Sequence, residues 1–586
     1  MFALKTAAGL DQLIADRVVG VDVDTIRAVV EEAGKFGTEV LDPLSAPGDR
    51  AGSKLANGRV ETPAGWKEAY AQFVAGGWGA LPCPEAIGGQ GLPQVVSMAT
   101  CEIWNASNLA FGLCPLLTQG AIDALLVAGS DELKRTYLPK MVSGEWTGTM
   151  NLTEPHAGSD LGHLRSRAEP QADGTHRIFG TKIFITYGEH ELTENIIHLV
   201  LARLPDAPPG TRGISLFLVP KFLVNADGTL GQRNDVICAG LEHKLGIHAS
   251  PTCIMKFGET VGATGYLVGE ANRGLNAMFV MMNEARLAVG VQGVAVAERA
   301  TQRAIAFAQE RRQGRSTQGK AGEMSPIIEH ADVRRNLMTM KALTQAARAI
   351  CLVTAREIDV AHAATDPAVR KAALDRAALL TPIAKAFSTD IGVEVASIGL
   401  QVHGGMGFIE ETGAAQHYRD ARILPIYEGT NGIQAIDLVT RKLTLEGGRV
   451  ADAYIGELRR TAEAVRASNR PEFGRMGERL GDAVSALTEA SRWLGEMLGK
   501  NPDAALAGAQ PYLRLFGLAA GGVYLAQGAL AVVRDGAGAG AVAANPRIAL
   551  ARFFAENLAV AAPSLKDAIV SGGDATLMLE PSALAG

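Results

Sequence analysis

From about Asn276 the chain keeps a helical period for nearly forty residues, through LNAMFVMMNEARLAVGVQGVAVAERATQRAIAFAQERR, without a proline. Such a helix cannot bury its apolar stripe alone; it needs partners of similar length. The sequence supplies two such partners, at Pro326 to Ala364 and Pro367 to Val402, and a further helix around Gln434 to Leu445. Long antiparallel helices of this kind pack as a bundle.

The rest of the chain falls into place around that bundle. Residues 1–62 begin with a helical pattern (Ile26, Val29, Val30, Ala33) and loosen into SAPGDRAGSKLANGRV, expected as a loop laid over another unit. Residues 63–150 alternate helices and loops, with apolar residues recurring at three and four. After Met150 the period changes to two: HRIFGTKIFITYG, NIIHLVLARL, GISLFLVP and CIMKF are β-branched or aromatic runs bounded by Gly, Pro and Asp, predicting a small β-barrel or sandwich over 151–275. The bundle then occupies 276–445, and an Ala-rich helical domain is expected over 446–586. The fold class is therefore α+β: helical domain, β-barrel, four-helix bundle and an added helical domain.

Composition narrows the function classes. A chain of 586 residues with 47% apolar and 20% charged residues can bury several cores. Its net charge of -6 argues against a nucleic-acid surface. Six cysteines without CxxC spacing indicate neither zinc nor a disulfide framework, and reduced buried thiols are expected. The N-terminus has one Lys and then Asp11 before any long apolar run, unlike a secretory signal, so a cytoplasmic protein is expected. Leu515 to Val533 is uncharged and of spanning length, but three glycines, several alanines and Gln527 favour a buried helix over membrane contact.

Candidate chemistry concentrates in three polar, glycine-bearing stretches. NLTEPHAGSD (Asn151 to Asp160) supplies hydroxyls and backbone amides at the edge of the β-unit. Near it, Phe184, Ile185 and Thr186 end a strand with an aromatic face and a hydroxyl, which suits a flat, polar-edged ring. QVHGGMGF offers glycines that let amides approach a pyrophosphate. ILPIYEGTNGIQ contains one carboxylate, Glu428, followed by glycine and threonine. On the residues alone two readings stand: three unrelated loops, or pieces of one large cofactor site. Weaker signals are Gly536, Gly538 and Ala541, which match GxGxxA but precede Pro546 and lack a β-α surround, and His243 and His248, whose spacing of five does not place two metal ligands on one helical face. No metal site is expected.

The order LTEPHAGSD, FIT, KLGIHASPT, the long helix ending in ERRQGR, QVHGGMGF and IYEGTNGIQ resembles the acyl-CoA dehydrogenase family over about Trp66 to Leu445. That resemblance implies FAD. Leu152 and Thr153 would meet the flavin's pyrimidine edge, Ser159 the pyrophosphate, Phe184 the isoalloxazine face and Thr186 the region of N5. Arg311 would reach the FAD of a neighbouring subunit, Gln401, Gly404 and Gly405 would line the adenosine diphosphate, and Thr430 would add a contact. Glu428 would be the base that takes the α proton as hydride leaves the β carbon for flavin N5. Burial against apolar surroundings should raise its pKa. Some family members carry the base on the long helix, one residue before the arginine matching Arg286; here that position is Ala285, and Glu284 lies about 100° around the helix. Arg286 and Gly429 are expected on the substrate side.

Two departures from the family pattern concern contacts between subunits: Gly314-Arg315 replaces the usual Phe-Gly, and Ala331 follows His330 where many members carry glutamine. Length and the added C-terminal domain resemble the subgroup that includes 3-methylthiopropanoyl-CoA dehydrogenases, with straight-chain fatty acyl-CoA as the alternative substrate. The resemblance also implies an electron-transfer flavoprotein as acceptor and a homodimer. An acyl-CoA oxidase would share this fold and base, whereas a non-catalytic CoA-binding scaffold would be expected to have lost Glu428, Ser159 or Thr186; all three are present.

Overall fold

A computed structural model describes residues 1–534 and 545–585, apart from the side chains of residues 280, 281 and 283. The GxGxxA match at Gly536, Gly538 and Ala541 lies outside the described residues. The chain divides into two compact units, neither contiguous in sequence: one comprises 1–30, 94–102 and 286–586, the other 31–93 and 103–285.

The second unit is built on strands. Its first pair, β1 (Lys54–Ala56) and β2 (Arg59–Glu61), is a hairpin where a loop was expected. Asn57 and Gly58 both have positive φ (51° and 73°), the turn an Asn-Gly pair makes between strands. Asp42–Ala51 is likewise helical, with Pro43 in its first turn, where a missing N–H costs nothing.

The remaining strands are β3 (Trp146–Asn151), β4 (Arg167–Pro170), β5 (His176–Thr186), β6 (Asn195–Ala202), β7 (Ser215–Pro220), β8 (Phe222–Val224), β9 (Leu230–Arg233), β10 (Val236–Leu241), β11 (Thr252–Phe257) and β12 (Ala263–Val268). Eight of them form one sheet in the order β10-β11-β5-β12-β7-β6-β3, with β4 on β5; β8 and β9 pair separately. All pairs in the sheet are antiparallel except β3 with β6. The expected barrel is thus an open mixed sheet, because its end strands β10 and β3 do not pair with each other.

Strand alternation gives this sheet two buried faces. Ile197, Leu199 and Leu201 of β6 and Leu216 and Leu218 of β7 pack with Leu125, Leu138 and Trp146 in one core. Val200, Phe217 and Val219 share the opposite core with Ile178, Cys253 and Met255. This explains why NIIHLVLA is apolar throughout rather than alternating: all eight residues of β6 are buried.

The first unit is helical. The helices Ala331–Ala363, Pro367–His403 and Ala509–Arg534 pack on one another, and Arg449–Ala467 and Met476–Lys500 pack on Ala509–Arg534; Gly290 of the Gly274–Glu310 helix lies against Ala384 and Cys351. Among the described residues, three helical stretches are long and apolar enough to cross a membrane, by length and composition only: Leu109–Ala128, Ala509–Arg534 and Pro546–Ser571. Yet 78% of the most apolar window of Ala509–Arg534 is buried inside the protein. The N-terminal Phe2 lies against Gly528 of that helix, and the Arg547 guanidinium sits 3.4 Å over its ring. Buried Arg348 joins Glu102 (2.5 Å) and Glu298 (2.8 Å).

Two of the long helices approach closely because their contact residues are small. A Cβ on Gly293 would lie 2.4 Å from the Ser388 carbonyl oxygen, and one on Gly290 would lie 2.5 Å from that of Ala384. Gly293→Ala should therefore lower stability by about 1–3 kcal/mol despite alanine's better helix propensity. A thermal melt equal to the parent's would show that the helices separate without cost.

Candidate functional site

Each unit carries part of the sequence-predicted site. In the strand-rich unit, the NLTEPHAGSD loop is tied down from beneath by a buried ion pair. Lys182 of β5, fully buried, donates to Glu154 Oε1 at 2.8 Å and to the Leu152 carbonyl at 3.0 Å. Glu154 also accepts the backbone N–H groups of Arg165 (2.7 Å) and Ser166 (3.0 Å). Burial would raise the Glu154 carboxyl, but Lys182 and these donors outweigh it and hold the group at about 2. Burial in turn pushes Lys182 down to about 8, against the pull of Glu154. The loop above this pair presents half-buried Leu152 and Thr153 and exposed Ser159.

β5 then departs from regular pairing. Cys253 faces Ile185 but Met255 faces Lys182, so Ile183 and Phe184 together oppose Ile254 alone, a β-bulge. Phe184 has φ of +61°, sparsely populated for a side chain of its size, and 58% of it is exposed. The bulge turns an aromatic ring outward beside half-buried Thr186. Below it Tyr187 is locked: its hydroxyl accepts from Trp66 Nε1 (3.1 Å) and donates to the Ala110 carbonyl (2.8 Å). An exposed ring with the hydroxyls of Thr153, Ser159 and Thr186 on the same unit is a donor and stacking set that fits a flavin.

The helical unit carries Glu428. It has φ of +54° and is followed by Gly429 at +84°, so two successive residues adopt left-handed backbone. The loop is stapled by Asn431 N–H to the Pro425 carbonyl (2.9 Å), and Tyr427 donates to Gln292. Burial raises the Glu428 carboxyl above its usual range, opposed by Arg286 and then Lys385. Arg286 is itself pushed down by burial and favoured by Asp437 and Glu428. The Thr430 hydroxyl caps the Asn431–Asp437 helix by accepting Ile433 N–H at 3.2 Å, a use the sequence reading did not give it. A Cβ on Gly429 would meet Gln434 Nε2 at 2.5 Å, so this position takes glycine for space as well as for angle.

Arg311 and Gly404 gather at another place in the same unit. Phe307 stacks on His403 (centroids 4.6 Å apart), bringing together the ends of the two long helices from which they extend. Gln401, Gly404, Gly405 and Arg311 are all exposed there, and a Cβ on either glycine would meet nothing within 4 Å. Gly404, at φ 59° and ψ -140°, has a backbone that only glycine adopts readily. Phe408 beside them is 90% exposed.

Other candidates have different partners. Glu284 hydrogen-bonds Asp123, whose carboxyl is pushed up by burial and by Glu284. His248 pairs with Asp49 (3.0 Å) and lies 2.9 Å from the Lys244 carbonyl. None of the six cysteines is in a disulfide, and five are buried. Sequence reasoning missed Lys385, Asp390 and Asn431, which underlie the Glu428 loop. The signal for Lys385 is a lone lysine in the otherwise apolar stretch PIAKAF.

Comparison with known proteins covers nearly the whole chain. Models of the acyl-CoA dehydrogenase N-terminal, middle and C-terminal domains match residues 24–145, 149–260 and 272–444, and the acetyl-CoA dehydrogenase C-terminal-like domain matches 454–580. The sequence is 49% identical over 579 residues, 98% of each chain, to the 3-methylmercaptopropionyl-CoA dehydrogenase of Ruegeria pomeroyi. It is 37% identical to a butyryl-CoA dehydrogenase of Syntrophomonas wolfei, over 80% of this chain and 77% of that one. The fold is similar to that of an acyl-CoA dehydrogenase from Bacillus anthracis solved with FAD, at a TM-score of 0.75 and 19% identity, covering 97% of this chain and 91% of the other.

Proposed function

The chain belongs to the acyl-CoA dehydrogenase family, and from that premise we propose that Glu428 is the base removing the α proton from a short thioether acyl-CoA. The activity is FAD-dependent dehydrogenation of an acyl-CoA thioester to its trans-2-enoyl product. The single observation that carries Glu428 is its setting: a carboxyl raised by burial, on a strained left-handed residue, with two cations nearby. Strain of this kind persists where surrounding structure fixes a working geometry.

Bound FAD supplies the hydride acceptor for the β carbon. Phe184 would stack on its ring, Thr186, Leu152 and Thr153 would meet the ring's polar edge, Ser159 the pyrophosphate and Thr430 a further polar group. Arg311, Gln401, Gly404 and Gly405, exposed in one chain, would hold the adenosine diphosphate of a neighbouring subunit in a homodimer. Glu428 removes the α proton because a raised pKa makes its carboxylate a better proton acceptor near neutral pH. Its own backbone N–H would help to receive charge on the thioester oxygen. Arg286 and Gly429 would line the substrate. An electron-transfer flavoprotein would be the acceptor.

The substrate assignment, 3-methylthiopropanoyl-CoA, rests on the end-to-end similarity to the Ruegeria pomeroyi protein of that name. Butyryl-CoA is the second reading, from the Syntrophomonas wolfei relative. Comparing kcat/KM over a panel of acyl-CoAs tests the choice. The thioether compound should exceed butyryl-CoA by about tenfold, the usual worth of one hydrophobic-pocket difference. A preference for longer straight chains would overturn the assignment.

A further inference from the structure

We propose that Lys385 is the positioning residue of the Glu428 loop: its buried ammonium grips the residues that follow Glu428 and fixes the direction of the carboxylate. The inference rests on the reading of Glu428 as the base and adds a residue that acts on it.

Lys385 is fully buried in the Pro367–His403 helix. Its ammonium donates to the Gly429 carbonyl at 2.8 Å and to Asn431 Oδ1 at 2.8 Å. The first bond sets the orientation of the peptide just beyond Glu428, where the left-handed angles lie. The second joins a network that ties the loop to the helix: Asn431 Nδ2 lies 2.7 Å from Asp390 Oδ1, 3.0 Å from Thr389 Oγ1 and 3.1 Å from the Ala386 carbonyl. Asp390 Oδ2 accepts from Gln510 at 3.1 Å. Burying an ammonium is costly unless it is paired, so placing one under a turn is a poor way to gain stability alone. Holding a strained loop carbonyl gives that cost a use.

The charges facing this ammonium come from each neighbouring element. Glu428 in the loop and Asp390 on its own helix favour it; Arg286 on the Gly274–Glu310 helix opposes it. Arg514 on the Ala509–Arg534 helix acts on Asp390. Burial pushes Lys385 down to about 7, against the pull of Glu428 and Asp390. Its cation lowers the Glu428 carboxyl, and losing it should raise Glu428 further.

The test uses the holoenzyme with Lys385→Met, and Lys385→Gln, which keeps a donor without the charge. Lys385→Met should lower kcat about 10- to 100-fold with KM little changed. The acid limb of kcat/KM should move up by about one pH unit. Amide exchange over residues 426–431 should rise about tenfold, independent of turnover. Lys385→Gln should share the shift of the acid limb but keep more of the exchange protection. Should Lys385→Met fail to fold, an unshifted acid limb in Lys385→Gln overturns the inference. A folded Lys385→Met with parental kcat, acid limb and exchange also overturns it. Glu428→Gln run alongside separates the two readings: if that variant keeps turnover, the base is elsewhere; if it is inactive while Lys385→Met behaves as the parent, only the role of Lys385 falls.

Discussion

Glu428→Gln should bind FAD and acyl-CoA as the parent does and lose turnover by about 10²- to 10⁴-fold, the usual contribution of a positioned general base. Glutamine keeps the size of the side chain and the left-handed backbone of the loop, so the loss reads the proton acceptor itself. Replacement should also relieve the burial of a charge, since desolvation is the largest influence on the Glu428 carboxyl. The variant should therefore be at least as stable as the parent. Loss of flavin or a lowered melting temperature would assign Glu428 to structure instead.

The second large effect is on stability. Glu154→Gln should cost about 3–5 kcal/mol, because it leaves the fully buried Lys182 ammonium without its counter-charge. The double variant Glu154→Gln/Lys182→Met should recover part of that loss, as a buried pair replaced by apolar groups often does. The pH dependence has a definite sign. Glu154 sits at about 2 in the folded chain against an ordinary 4.5, so its stabilisation is complete above about 4.5 and disappears as pH falls through about 2. Denaturant titration of both variants at neutral pH checks the magnitude; a cost below about 1 kcal/mol for Glu154→Gln would mean that the pair is solvated. Because Lys182 also holds the Leu152 carbonyl, the same variant should weaken flavin retention.

These two sites show what the sequence discloses. The turn at Glu428 was legible as a turn, because Gly429, Asn431 and Gly432 tolerate the backbone angles that loops demand, whereas a role for its carboxylate came only with the family resemblance. The long helices were legible because a 3.6-residue period persists over thirty or more residues. The β-unit was legible as strands, but whether its ends meet is decided by pairing between β10 and β3, which no local pattern encodes. The Lys54–Glu61 hairpin was missed because its strands have three residues each, too short to show alternation, although Asn57-Gly58 is a hairpin turn pair. The roles of Lys182, Glu154 and Asn431 were hidden for a different reason, and that of Lys385 showed only as a lone lysine in an apolar stretch. Each is an ordinary polar residue in sequence, and only the burial of both partners of a long-range contact gives it a role. The grouping of residues 1–30 and 94–102 with 286–586 is also non-local. Packing creates it, and periodicity cannot report it.

The measurement that bears most directly on the central claim is anaerobic titration of the flavin-loaded wild-type protein with 3-methylthiopropanoyl-CoA, followed by absorbance and product analysis. The account requires the yellow colour to bleach in proportion to thioester added, with enoyl-CoA formed. Colour that persists with every acyl-CoA of the panel, from a preparation carrying a full complement of FAD, would contradict it.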